Sequence, residues 1–205
     1  MRTINCSFLC LALCGALPIS ARAQTPADLN ETVSAGFIYG MPSGTYNQKI
    51  GAPGYNLGYS YKLRSWLALD AGFQQVIHPA ATLAVHNNAL VNYINPGDQI
   101  FLVPFGVRFL WSPSGSRIQI GIGAGGAYID HHYNASAFGY FASSSGFGPQ
   151  VNASLEFPIS ASGHFRLGIS ASYYYLNPHS DSGGPIVREF TFGPSLLYSF
   201  RLPAK

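Results

Sequence analysis

Large apolar residues fall at every second position in eight short stretches of this chain, with small or polar residues between them. In one stretch Tyr55, Leu57, Tyr59, Tyr61 and Leu63 alternate with Asn56, Gly58, Ser60 and Lys62. In the last, Phe190, Phe192, Pro194, Leu196, Tyr198 and Phe200 alternate with Glu189, Thr191, Gly193, Ser195, Leu197 and Ser199. Successive side chains of a β-strand point to opposite faces, so a period of two means strands with one apolar face. Eight such strands in one small chain can close into a barrel. Which face is the greasy one then decides whether the outside meets water or lipid.

Composition answers that question. Only 9% of the 205 residues are charged, against about 25% in soluble proteins, too few to cover the surface of a soluble domain. Gly (23), Tyr (13) and Phe (14) are plentiful, as the small lumen residues and aromatic girdles of a membrane barrel require. Residues 1–23 read as a secretory signal, with Arg2, an apolar stretch over 8–17, and the small-x-small site Ala21-Arg22-Ala23 before Gln24. That stretch is too short to span a bilayer, and no later window approaches the roughly 20 apolar residues of a transmembrane helix. Any membrane crossing therefore uses strands. Cys6, Cys10 and Cys14 all lie in the leader, so the mature chain is expected to carry no disulfide. Losing Arg2 and Arg22 leaves nine bases against eight acids, a balance that predicts no nucleic-acid partner.

The alternation predicts strands over residues 32–39, 55–63, 66–77, 99–111, 117–130, 147–157, 165–175 and 188–202. Most reach the 9–11 residues of a tilted transmembrane strand. Their connections alternate in length: short around Arg64, at 112–116 and at 160–164, and long over 40–54, 78–98, 131–146 and 177–187. Short turns at one end and long loops at the other fit periplasmic turns and extracellular loops. One face collects Phe37, Leu69, Phe105, Phe109, Ile122, Val151 and Ile169; the other collects Ser60, Gln74, Gly106, Gly121, Asn152, Ser170 and Ser195. An eight-stranded barrel is only wide enough for side chains to fill it, so the small, polar set suits the lumen and the bulky set suits lipid. The expected fold is all-β, an eight-stranded antiparallel up-and-down transmembrane β-barrel. The chain divides into a signal peptide (1–23), a short periplasmic segment (24–30), the barrel (31–202) and a tail (203–205).

With its signal peptide, eight alternating strands, loop rhythm and aromatic end, the chain resembles the small bacterial outer-membrane barrels of the OmpA/OmpX type. The final strand, Thr191-Phe192-Gly193-Pro194-Ser195-Leu196-Leu197-Tyr198-Ser199-Phe200, also resembles the signal read by the barrel-assembly machinery. The resemblance implies insertion by that machinery into the bacterial outer membrane, among outer-membrane lipids and lipopolysaccharide.

Three groups of residues are candidates for chemistry. By parity Lys62, Arg64, Asp70, Arg108, Glu156, Arg166 and Arg201 point into the lumen near the turn end. Charges in so narrow a space persist when paired, and the expected pairs are Glu156 with Arg166 across a hairpin and Asp70 with Lys62 on a diagonal. The alternative is a narrow, anion-leaning pore in which such pairs exchange. The second group is histidine: His78, His86, His131, His132 and His179 lie near the loop end and His164 at a short turn. Their spacing, on strands that point neighbours to opposite faces, reads as ordinary loop histidines. The third group is His179, Ser182 and Glu189. Some barrels of this size hydrolyse lipid A with a His-x-Ser pair, but the spacing here departs from it. The glycine run 121–126 lies inside a strand with no helix following, so it offers no phosphate loop. No catalytic residue, metal site or cofactor is expected. The expectation is a non-enzymatic integral outer-membrane protein, structural or surface-interacting through four long extracellular loops, with 78–98 the largest. A lipid A-modifying hydrolase and the narrow pore are the alternatives.

Overall fold

The computed structural model describes residues 29–42, 51–77, 82–84, 92–94, 99–114, 116–135, 140–177 and 186–201. Among them lie strands β1 (Glu31–Pro42), β2 (Ala52–Arg64), β3 (Leu67–Ile77), β4 (Thr82–Ala84), β5 (Asn92–Ile94), β6 (Gln99–Trp111), β7 (Gln119–Ala135), β8 (Tyr140–Pro158), β9 (Phe165–Leu176) and β10 (Val187–Phe200). Eight of these close into one antiparallel barrel in the order β1-β10-β9-β8-β7-β6-β3-β2. The closing seam pairs β1 with β10, from Glu31↔Phe200 to Pro42↔Glu189. Closure leaves no sheet edge, so the ladders satisfy the backbone groups that lipid cannot. No helix among the described residues is long and apolar enough to cross a membrane.

Burial is inverted relative to a soluble protein, as the sequence pattern requires. Phe37 is 77% exposed, Phe147 73% and Ile122 66%, while Gln74, Gln119, Gln150 and Glu156 are buried. The wall facing outward is thus the apolar one. Exposed Trp66 and Trp111 mark its turn end, Trp66 stacking on Phe109 with ring centroids 6.0 Å apart. Tyr39, Tyr128 and Tyr173 mark the loop end. Aromatic rings at both levels are the usual anchors of a barrel at the two interfaces.

The turns have local causes. Between β8 and β9 the chain reverses over 160–164, where Gly163 adopts φ 75° and donates its N–H to Ser160 O at 3.1 Å. That left-handed conformation is one that glycine adopts at little cost. In the β2–β3 turn the register shifts between Lys62 and Arg64, setting Arg64 opposite Leu67.

Two features depart from the sequence pattern. The connection expected over 131–146 is largely strand: β7 and β8 run 17 and 19 residues, against 11 to 14 for the other barrel strands. Their pairing continues past Asp130↔Ser145 to Ala135↔Tyr140, so this ladder runs on beyond the length of the other barrel strands. The long 78–98 connection carries a small hairpin of its own, with β4 paired to β5.

Candidate functional site

The lumen is the one interior the fold builds, and it is layered along its axis. Nearest the turn end is a charged layer centred on Arg108, which β6 points inward. Its Nη2 donates to Asp70 Oδ1 on β3 at 3.2 Å, and its Nε lies 2.9 Å from Asp70 Oδ2 as an ion-pair contact without hydrogen-bond geometry. Nη1 donates to Glu156 Oε1 on β8 at 2.7 Å and to Ser154 Oγ at 2.8 Å. Nη2 also reaches Ser60 Oγ on β2 at 3.2 Å. The other oxygen of Glu156 takes Arg166 from β9 at 3.2 Å, and Arg166 also donates to Gln119 Oε1 at 2.9 Å. One guanidinium therefore ties together β2, β3, β6 and β8, and its neighbour extends the chain of contacts to β7 and β9. Hydrogen bonds between a guanidinium and a carboxylate are charge-assisted and stronger than neutral ones. Space for Arg108 comes from Gly121: a Cβ there would stand 2.8 Å from Arg108 Cδ and 2.5 Å from Ser154 Oγ.

Seven residues were expected in this charged set, and they divide. Asp70, Arg108, Glu156 and Arg166 form the connected network. Asp70 is claimed by Arg108 rather than by Lys62: β3 pairs with β6 as well as with β2, and Arg108 lies diagonally across from Asp70 on β6 as Lys62 does on β2. Lys62 faces inward and lies in the field of Arg166, Glu156 and Arg108. Arg64 is exposed, the register shift having moved it to the outward side opposite Leu67. Arg201 is exposed just past the end of β10.

Above the network lies a polar layer. Asn56 Nδ2 donates to Ser195 Oγ at 3.1 Å and Thr191 Oγ1 to Gln74 Oε1 at 3.1 Å. Between these layers is a cavity of about 130 Å³ lined by groups such as Ser34, Asn56, Gln74, Asn152 and Ser170. Polar cavities of this kind hold ordered water.

Higher still, at the loop end, the lumen turns apolar, which the sequence pattern did not reveal. Ile38, Val76, Ile100, Leu102, Ile129 and Leu176 pack with Tyr174 and Val187 into a buried cluster, several of them with no exposed surface. Glu189 is buried at the same height. It has no exposed surface from which to reach a lipid outside the wall. His179 and Ser182, its expected companions, lie outside the described residues.

Of the histidines, His78, His86 and His179 also lie outside the described residues. His131 and His132 sit on the tall hairpin at adjacent positions of β7, hence on opposite faces. His132 Nε2 is 3.0 Å from Asp130 Oδ2, and its ring stands edge-on to Phe101. His164 bonds Ser199 O through Nδ1 at 2.7 Å in the short turn. Among the described residues no group of three His, Cys, Asp or Glu could hold a metal ion.

A profile of the outer membrane protein beta-barrel domain matches residues 6–200. The chain belongs to that family. It is a bacterial outer-membrane barrel protein of OmpA-like, porin-like build. Solved structures share the barrel at low identity. Neisserial surface protein A superposes with a TM-score of 0.62 at 11% identity, covering 83% of this chain and 97% of that one. OprG of Pseudomonas aeruginosa gives 0.58 at 11%, covering 87% and 100%. Ail, the attachment invasion locus protein of Yersinia pestis, gives 0.55 at 19%, covering 84% and 99%, and was also solved with the heparin analogue sucrose octasulfate. No curated protein sequence matches. The likeness to the solved barrels carries the fold alone.

Proposed function

We propose that this outer-membrane barrel is non-enzymatic and that its role is structural and surface-interacting, exercised by its four long extracellular connections, the tall β7–β8 hairpin among them. The observation that supports this reading is the filled lumen. An apolar cluster occupies it at the loop end and the Arg108 network at the turn end, which leaves the outer rim as the surface free to meet a partner. The hydrolase alternative gains nothing from Glu189, which is buried in the lumen. A sulfated polyanion of the kind solved with Ail fits the rim poorly. Among the four long connections Lys49 is the sole Lys or Arg, and six of the seven Lys and Arg in the described residues lie toward the turn end. The leader 1–23 and the final strand fit export and insertion by the barrel-assembly machinery.

The test replaces residues 133–142 with Asn-Gly, a favoured two-residue hairpin turn. Cells displaying the native chain are compared with cells displaying the shortened one for attachment to other cells and matrix proteins. The expected result is loss of attachment while the purified barrel keeps its heat-dependent shift on electrophoresis. Discrete conductance steps from the native chain in planar bilayers would overturn the filled-lumen reading. A lipid A mass change abolished by His179→Ala or Ser182→Ala would overturn the non-enzymatic one.

A further inference from the structure

Among the described residues the charges of the lumen do not balance at its turn end. Arg108 takes both oxygens of Asp70 and shares Glu156 with Arg166. Two more cations face the same space: Lys62 on β2 and Arg117 just before β7. Among the described residues neither has a carboxylate within 4 Å. Lys62, Arg117 and Arg166 line a cavity of about 310 Å³ together with Gln119, Ser160 and Ser199, and among the described residues no acid lines it.

We propose that this cavity binds a dianionic group, a phosphate or a pair of carboxylates, carried on a small soluble molecule of the periplasm. Two guanidinium groups offer planar forks that match such oxygens, and the lysine adds a compact third charge. Gln119 and the serines supply neutral donors around them. An anion here relieves the repulsion among these cations. The surrounding apolar wall sharpens the attraction, since a charged cleft with low-dielectric walls focuses its field. Lys62, Arg64, Arg108, Arg117, Arg166 and Arg201 all belong to the turn end, so the field steers anions to this mouth. Lys62, Gln119, Arg166 and Ser199 project to the lumen side of their strands, so the cavity is reached along the barrel axis. That access favours a soluble anion over the headgroup of a lipid lying against the outer wall.

Inorganic phosphate is the probe, titrated calorimetrically into the full mature barrel in phosphatidylcholine nanodiscs at constant ionic strength, with chloride as the control. Saturable binding is expected, weakened about tenfold or more in Lys62→Gln/Arg117→Gln, the loss of at least one charge-assisted contact. Both substitutions spare the Arg108–Glu156–Arg166 network, and a retained heat shift reports the fold. Lys62→Gln alone is expected to give a smaller loss in the same direction, and Arg64→Gln, an exposed cation on the same rim, none. Absence of saturable binding in the native barrel would overturn the site, as would equal affinity in the double variant. An equal loss in Arg64→Gln would reduce the effect to the general field and also overturn it. Repeating the titration in discs containing phosphatidylglycerol separates the sources. Unchanged affinity supports a soluble anion, and competitive weakening would make a lipid headgroup the occupant instead.

Discussion

The two ends of the lumen are filled by opposite means. At the loop end, Leu102, Ile129 and Val76 pack without exposed surface, and each contact is generic: another apolar side chain of similar volume would serve. At the turn end Arg108, Asp70, Glu156 and Arg166 hold one another through named atoms at 2.7 to 3.2 Å, and no member is replaceable by itself. Both halves close a narrow tube, but the apolar half draws on volume and the charged half on stoichiometry. The difference follows from the cost of burying charge, which pairing offsets and the loss of one partner restores. The charged half should therefore be brittle to single changes and tolerant of matched ones, and the apolar half the reverse.

Arg108→Met gives the largest expected effect. It strands Asp70 and leaves Glu156, only 4% exposed at its side chain, to Arg166 alone, at a cost of about 3–5 kcal/mol. Urea unfolding from lipid vesicles measures it. Adding Asp70→Asn should recover much of the loss, because the stranded charge is gone while Glu156 keeps its pair with Arg166. A double variant no more stable than Arg108→Met would mean that the network stabilises by packing and not by pairing.

The corresponding change in the apolar half is Leu102→Ala, expected to cost about 2–5 kcal/mol according to how far the cavity collapses. Here no second polar substitution should help, whereas a compensating enlargement at Ile129 or Val76 should. Rescue by volume in one half and by charge in the other would fix the contrast. The same kind of rescue in both would dissolve it.

How much of this was readable beforehand follows the same division. The outward face was legible because Tyr55, Leu57, Tyr59, Tyr61 and Leu63 alternate with Asn56, Gly58, Ser60 and Lys62 along β2. The charged layer was partly legible, since Glu156 and Arg166 flank one hairpin and strand pairing places them side by side. Arg108 as the hub was not. Its acidic partners come from β3, which pairs with its own strand, and from β8, which lies beyond β7, and a contact across a closed lumen depends on curvature that pairwise strand arithmetic lacks. The apolar layer was hidden for a different reason. Where Ile100, Phe101, Leu102 and Val103 run together, and again over Tyr173, Tyr174, Tyr175 and Leu176, both faces are apolar and the period-two signal vanishes. The tall β7–β8 hairpin was masked by composition, because Gly, Ser and His over 131–146 read as a loop while the ladder simply continues.

Between the two halves, the polar layer should respond weakly. Thr191→Val removes the donor to Gln74 Oε1 while keeping side-chain shape, at an expected cost of about 1 kcal/mol. The 130 Å³ cavity lined in part by Gln74 can supply water to the abandoned acceptor, which keeps the loss near the lower end for a buried group. A loss as large as that of Arg108→Met would mean that the layer is dry and belongs energetically with the charged network.

The smallest expected effect is the most discriminating. Lys62 faces the charged half but makes no ion pair among the described residues, and its charged neighbours are Arg166 and Arg108 as well as Glu156. Lys62→Gln should therefore change stability by no more than about 0.5 kcal/mol in either direction, the range of a residue outside any network. Relief of repulsion should make the variant slightly the more stable of the two at low ionic strength, and the advantage should fade as salt screens the exposed part of that field. Phosphate reverses the order if it occupies the neighbouring cavity, since a ligand bound to the folded state stabilises it in proportion to its occupancy. A cation that costs stability without an anion and adds to it with one is kept for binding. A substantial loss on Lys62→Gln in phosphate-free buffer would instead place Lys62 inside the paired network, and the turn-end half would then be balanced after all.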